Sequence, residues 1–302
     1  MDQQQRYSSL KMGERGAIVS IIAYVILSGL KIAVAFISGS EALKADGLNN
    51  ATDIVASIAV LIGLKVAQKP ADENHPYGHW KSETIASLIA SFIMMVVGLQ
   101  VLYEAATSIF RGGRESPDLI AAWTGAFCAL VMYFVYIYNK RLANRVRSQA
   151  VMAAAKDNLS DALVSIGAVI GILGSQFSMP WLDPLTAVVV GCIICKTAWE
   201  IFREASHQLS DGFNEDAIQT FKQVVLGVEG VEGVKDIKAR SYGSNTVIDV
   251  ILLINADLEF QEAHDIATKV ERALKTYANE VYQVHVHYEP VRLMEPKERQ
   301  LV

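Results

Sequence analysis

Two helical turns in this 302-residue chain carry oxygen ligands at a spacing that puts them on one helix face: Asn49 with Asp53, and Asp157 with Asp161. Each turn lies inside a long apolar segment, so the pair reads as two halves of one intramembrane ion site. Acids in hydrocarbon are costly and mark function. Carboxylate and amide oxygens suit Mn, Mg or Ca, whereas imidazole and thiolate draw Zn, Cu and Ni. Four side chains leave room for water or a backbone carbonyl, which six-coordinate Mn2+ uses better than closed tetrahedral Zn2+. Ionising one of three crowded acids opposes ionising the next, so the empty site is expected to hold protons that an arriving metal expels.

A second constellation lies in the polar stretch Pro70 to His79, where Asp72, His75 and His79 can converge on one ion because Pro and Gly let the loop fold back on itself. The bland alternative is a polar turn at the membrane surface. Asp46, one turn before Asn49, reads as support for the ligands more than as a ligand. Asn50 and Asn158 point to another face and read as hydrogen bonds between helices, and Gly29, Gly63 and Gly98 as sites of close helix packing. Cys192 and Cys195 have the spacing of a metal or redox pair without a partner pair, so packing is the expected role. His207 reads as an interfacial polar residue. His285 shares a strand face with His287 and either joins a metal site or is simply exposed.

These residues must be positioned by membrane helices. With 52% hydrophobic residues, the chain shows six apolar runs of spanning length, roughly 14–37, 42–66, 83–110, 118–139, 149–175 and 182–203. The first is too long, and lacks the flank, for a cleaved signal peptide. Arg6, Lys11 and Arg15 precede it, Lys65, Lys69 and Lys81 flank the second loop, and Lys140, Arg141, Arg145 and Arg147 fill the fourth. The opposite-side connections are poorer in basic residues, which puts both termini in the cytoplasm of a multi-pass cell-membrane protein. Residues 1–211 then form the transmembrane domain. Residues 212–290 read as a small α-β-β-α-β domain whose three strands invite pairing with a second copy, and 291–302 as a loose charged tail. Neither a His-Glu-x-x-His motif nor a Walker A pattern occurs, so neither a metallohydrolase nor direct ATP drive is expected, and the chain reads as no enzyme. With a net charge of -5, no nucleic-acid partner is implied. A passive divalent channel with an acidic selectivity ring remains open.

The six spans, the paired i,i+4 ligands in spans two and five, the Asp-x-x-His-x-x-x-His loop and the trailing α+β domain together resemble the cation diffusion facilitators, over roughly residues 14–290. The resemblance implies a homodimeric exporter of divalent metal in exchange for H+, with a ferredoxin-like cytoplasmic domain and no cofactor beyond the transported ion. Zinc-transporting members carry His-x-x-x-Asp in span five. Asp157 in its place resembles the manganese-exporting branch, with Zn2+ or Fe2+ efflux as the alternatives. By position, the resemblance gives a transport site of Asn49, Asp53, Asp157 and Asp161 and a loop site of Asp72, His75 and His79. It also gives a salt bridge between Lys81 and Asp211, and a cytoplasmic metal site at His264, His287 and Glu289. Lys235 and Ile251 stand where zinc members place further histidines.

Overall fold

The computed structural model of the chain describes residues 3–38, 41–111, 119–176, 179 and 182–291. They fall into two compact units divided at Ser206 and His207. The expected tail from 292 onward and the Met179-Pro180-Trp181 turn, apart from Met179, lie outside the described residues.

Six long helices build the first unit: α1 Gln3–Ser38, α2 Glu41–Ala67, α3 Ser82–Arg111, α4 Leu119–Val146, α5 Gln149–Gln176 and α6 Leu182–Leu209. Among the described residues, four are long and apolar enough to cross a membrane: Ser8–Ser38, Ser82–Thr107, Leu119–Val146 and Gln149–Gly174. The helices also outrun the apolar stretches that announced them. α4 continues through Lys140, Arg141 and Arg145, because a hydrophobic run marks where lipid contact ends and good helix formers carry the backbone further. Ser148 then starts α5 by accepting a hydrogen bond from the Val151 N–H at 3.1 Å.

Small residues let these helices approach. Ala150, Ala153, Ala154 and Ala155 are all buried at the start of α5. A Cβ on Gly63 would overlap the Ala86 methyl and come within 3.0 Å of the Ser82 carbonyl, so α2 and α3 meet there backbone to backbone. Gly98 similarly faces Cys195, whose backbone N would lie 3.1 Å from an added Cβ. Gly29 does not follow the expectation, because its missing side chain would point into open space. All three cysteines are free, and Cys195 serves the packing against α3.

The second unit contains α7 Glu215–Leu226, β1 Gly233–Tyr242, β2 Asn245–Asn255, α8 Phe260–Tyr277 and β3 Val281–Val291. Asn214 caps α7 by accepting from the Ala217 N–H at 3.0 Å. The sheet order is β1-β2-β3; β1 and β2 form an antiparallel hairpin through Gly243 at φ 59°, and α8 returns the chain so that β3 lies parallel to β2. Ala263, Ile266, Val270 and Leu274 repeat at helical spacing along α8 and close over Ile248, Val250, Leu252 and Ile254 of the central strand.

Gly63→Val should therefore lower the unfolding free energy in detergent by about 1–3 kcal/mol through overpacking. Gly29→Ala should leave it unchanged or raise it by roughly 0.5–1 kcal/mol, since a helical glycine with free space gains from a Cβ. Equal losses in both variants would contradict the packing described.

Candidate metal centre

Three rungs of buried polar residues tie α1 to α5 along their length. In the first, the Ser20 hydroxyl and the Asn158 amide are hydrogen-bonded, and the Asn139 amide of α4 donates to Ser20 at 2.8 Å. In the second, the Tyr24 hydroxyl lies 3.1 Å from Asp157 Oδ2 and also bonds Asp161 Oδ2. In the third, Lys31 pairs with Asp46 of α2 at 2.8 Å and donates to the Ser165 hydroxyl at 3.1 Å, with the Asn50 amide oxygen 3.5 Å away. Ser165 in turn donates to Asp46 at 3.3 Å. Helical repeat explains the order: Tyr24 and Lys31 are two turns apart on α1, as Asp53 and Asp46 are on α2, while Asp161 and Ser165 are one turn apart on α5.

The second rung is the candidate centre. Asp53 from α2 joins Asp157 and Asp161 from α5, one ligand oxygen of each lying within 4.8 Å of the others. Their exposures are 2%, 8% and 4%. Asp53 Oδ2 has no hydrogen-bond partner, an orphan lone pair in a setting where such a group is costly. Asn49 lies on α2 one turn before Asp53, but its side chain is outside the described residues. Among the described side chains the cluster offers oxygen alone, which suits a hard divalent ion.

Tyr24 and Lys31 are the residues that sequence reasoning missed. Lys31 had a readable signal, a lone cation in the middle of an apolar run. Its partner Asp46 is committed to that ion pair and stands apart from the acid cluster. Tyr24 looks like one more apolar residue, and only the fold reveals its hydroxyl. Asn158 does join helices, to Ser20, and Asn50 bonds Lys31.

The loop residues Asp72, His75 and His79 also come together, on the surface. Asp72 Oδ1 accepts from the backbone N–H groups of Asn74 at 3.0 Å and His75 at 2.7 Å and faces His75 Nδ1 at 3.1 Å. His79 Nε2 lies 3.5 Å from Asp72 Oδ2, while its Nδ1 is held by the Pro70 carbonyl at 3.3 Å. Gly78 makes the return turn at φ 81°. Desolvation pushes the Asp72 carboxyl up, but the His75 hydrogen bonds and the nearby imidazoles together outweigh it and hold the group below the ordinary carboxylate range.

In the second unit, His264, His287 and Glu289 do not form one of the described clusters, and Glu289 is held by Lys235 at 2.6 Å. His285 instead pairs with Asp249 on the neighbouring strand at 2.7 Å. Lys81 immediately precedes α3, and Asp211 takes a left-handed backbone, φ 61°, in the turn after α6.

Comparison with known proteins follows the same division. Residues 17–210 match the cation efflux transmembrane domain, and residues 197–291 match the cytoplasmic domain of cation efflux proteins. The chain is 57% identical to the manganese efflux system protein MneS of Bacillus subtilis (strain 168), over 95% of this chain and 99% of that protein. It is 52% identical to the transporter YdbO of the same organism, over 95% and 98%. It is 30% identical to the manganese efflux system protein MneP, again of that organism, over 93% and 97%.

Breaking the third rung tests the description of the core. Lys31→Met leaves Asp46 buried without its cation and should cost about 3–5 kcal/mol of stability in detergent. Replacing both partners, Lys31→Met with Asp46→Leu, should recover most of that loss. A double variant as unstable as the single one would mean that the pair is not the tie between α1 and α2.

Proposed function

Because the chain belongs to the cation efflux family, we propose that it exports Mn2+ from the cytoplasm in exchange for protons through a site made by Asn49, Asp53, Asp157 and Asp161. The observation that carries this reading is the convergence of three buried carboxylates from α2 and α5 with no described nitrogen or sulfur ligand among them. Two of the relatives described above are named as manganese efflux proteins, which favours Mn2+ over the other hard or borderline ions that oxygen alone admits. In this reading all six helices span the bilayer, with both termini in the cytoplasm, and the C-terminal unit pairs with that of a second copy to make a homodimer.

Protons and metal compete for the same oxygens. A site loaded with either is close to neutral and can pass through hydrocarbon during the inward-to-outward change, whereas an empty triple anion cannot. That asymmetry turns two competing equilibria into antiport. A channel would need no such asymmetry, so dependence of flux on an imposed pH gradient separates the two. The surface trio Asp72, His75 and His79 delivers metal or steadies the dimer outside the translocation path, and Lys81 forms an ion pair with Asp211, as the family resemblance implies. A metal held by His264, His287 and Glu289 has to displace Lys235 from Glu289, and the transport step does not need it.

In proteoliposomes with an imposed pH gradient, Asp53→Ala or Asp161→Ala should abolish Mn2+ transport while the protein remains folded. Retained flux would put the ion elsewhere. Asp157→His should move the Mn2+ to Zn2+ transport ratio towards Zn2+, since a neutral imidazole replaces a hard anionic oxygen and favours four-coordination. An unchanged ratio would remove span-five ligand identity as the source of selectivity.

Single changes of Asp72, His75 or His79 to Ala should lower transport only in part. Complete loss in all three, at normal expression, would reverse the ranking of the two sites.

A further inference from the structure

Tyr24 contacts both α5 acids, yet the exchange of metal for protons does not by itself require a phenol there. We propose that Tyr24 is a positioning residue that limits Asp157 and Asp161 to one metal-facing oxygen each and so biases the site against calcium. This deepens the transport-site reading and rests on it.

Each carboxylate can give an ion one oxygen or two. The Tyr24 hydroxyl lies 3.1 Å from Oδ2 of Asp157 and hydrogen-bonds Oδ2 of Asp161. When both acids are ionised around a metal, the single phenolic hydrogen is shared between those two oxygens, which leaves Oδ1 of each acid for the ion. The ring has no room to withdraw: Tyr24 is 0% exposed and packs with Leu27, Cys128, Met132 and Ala162. To bind through both oxygens, either carboxylate must turn the oxygen that Tyr24 holds towards the ion, which strains or weakens a charge-assisted hydrogen bond.

The consequence differs between ions. Calcium takes about six to eight oxygens in flexible geometry and draws on two-oxygen carboxylates to reach that number. A smaller octahedral ion such as Mn2+ completes its shell from single carboxylate oxygens, an amide or carbonyl oxygen and water. Asp53 Oδ2 has no such restraint, so the restriction acts on the α5 pair alone.

The test uses the full chain in detergent with His75→Ala and His79→Ala in the background, so that the surface trio is silent. Mn2+ binding is followed by electron paramagnetic resonance and Ca2+ binding by competition. Tyr24→Phe keeps the ring and removes the hydroxyl, and should shift the ratio of Ca2+ to Mn2+ affinity towards Ca2+ by about tenfold, the size of one lost hydrogen bond to a charged group. A purely structural role would weaken both ions together, and an unchanged ratio overturns the proposal. Asp161→Ala is run beside it: if that variant keeps Mn2+ binding, the transport-site reading itself fails, whatever Tyr24→Phe does. Infrared difference spectra of the Tyr24 protein with and without Mn2+ need no folded Phe variant. They should show the wide separation of carboxylate stretches that marks one-oxygen ligation, and a narrow separation throughout overturns the proposal.

Discussion

Three carboxylates buried in an apolar helical unit are the constraint on which the first unit depends. Water cannot solvate them, so their charge has to be met by protons, by a cation or by protein donors. Asp53, Asp157 and Asp161 sit on the middle rung of a ladder between α1 and α5, with a neutral knot of Ser20, Asn139 and Asn158 on one side and the Lys31–Asp46 ion pair on the other. The neutral knot brings in α4 and the charged one brings in α2. The helices that carry the ligands are therefore fixed by polar contacts above and below the site, while small residues such as Gly63 and the alanines of α5 allow the backbones close enough for those contacts to form.

Chemical contrast separates the two clusters. The buried one is all oxygen among its described ligands and is walled off from water. The loop cluster adds two imidazoles, leaves Asp72 and His75 more than half exposed and holds its carboxylate with local backbone N–H groups. An exposed site exchanges ions readily and gains little from charge, because solvent screens it. A buried one makes charge balance the controlling quantity.

Much of this architecture was legible from periodicity. Apolar runs gave the six helices, and four-residue spacing put Asp157 and Asp161 on one face. Strand alternation and turn chemistry gave the hairpin at Gly243. The remainder depends on partners distant in sequence. Tyr24 is separated from Asp161 by 137 residues, and its phenol gives no local sign of which face it takes. Asp46 looked like a companion of the ligands because it lies on their helix, but Lys31 of the neighbouring helix claims it. Helix ends were the other shortfall, since hydropathy reports lipid contact and α4 and α6 continue well past it.

The most direct measurement of the central claim is an anomalous-difference map from crystals of the full chain loaded with Mn2+. The account predicts a peak among Asp53, Asp157 and Asp161, in contact with an oxygen of each. A fully occupied peak at Asp72, His75 and His79 with none between α2 and α5 would contradict it.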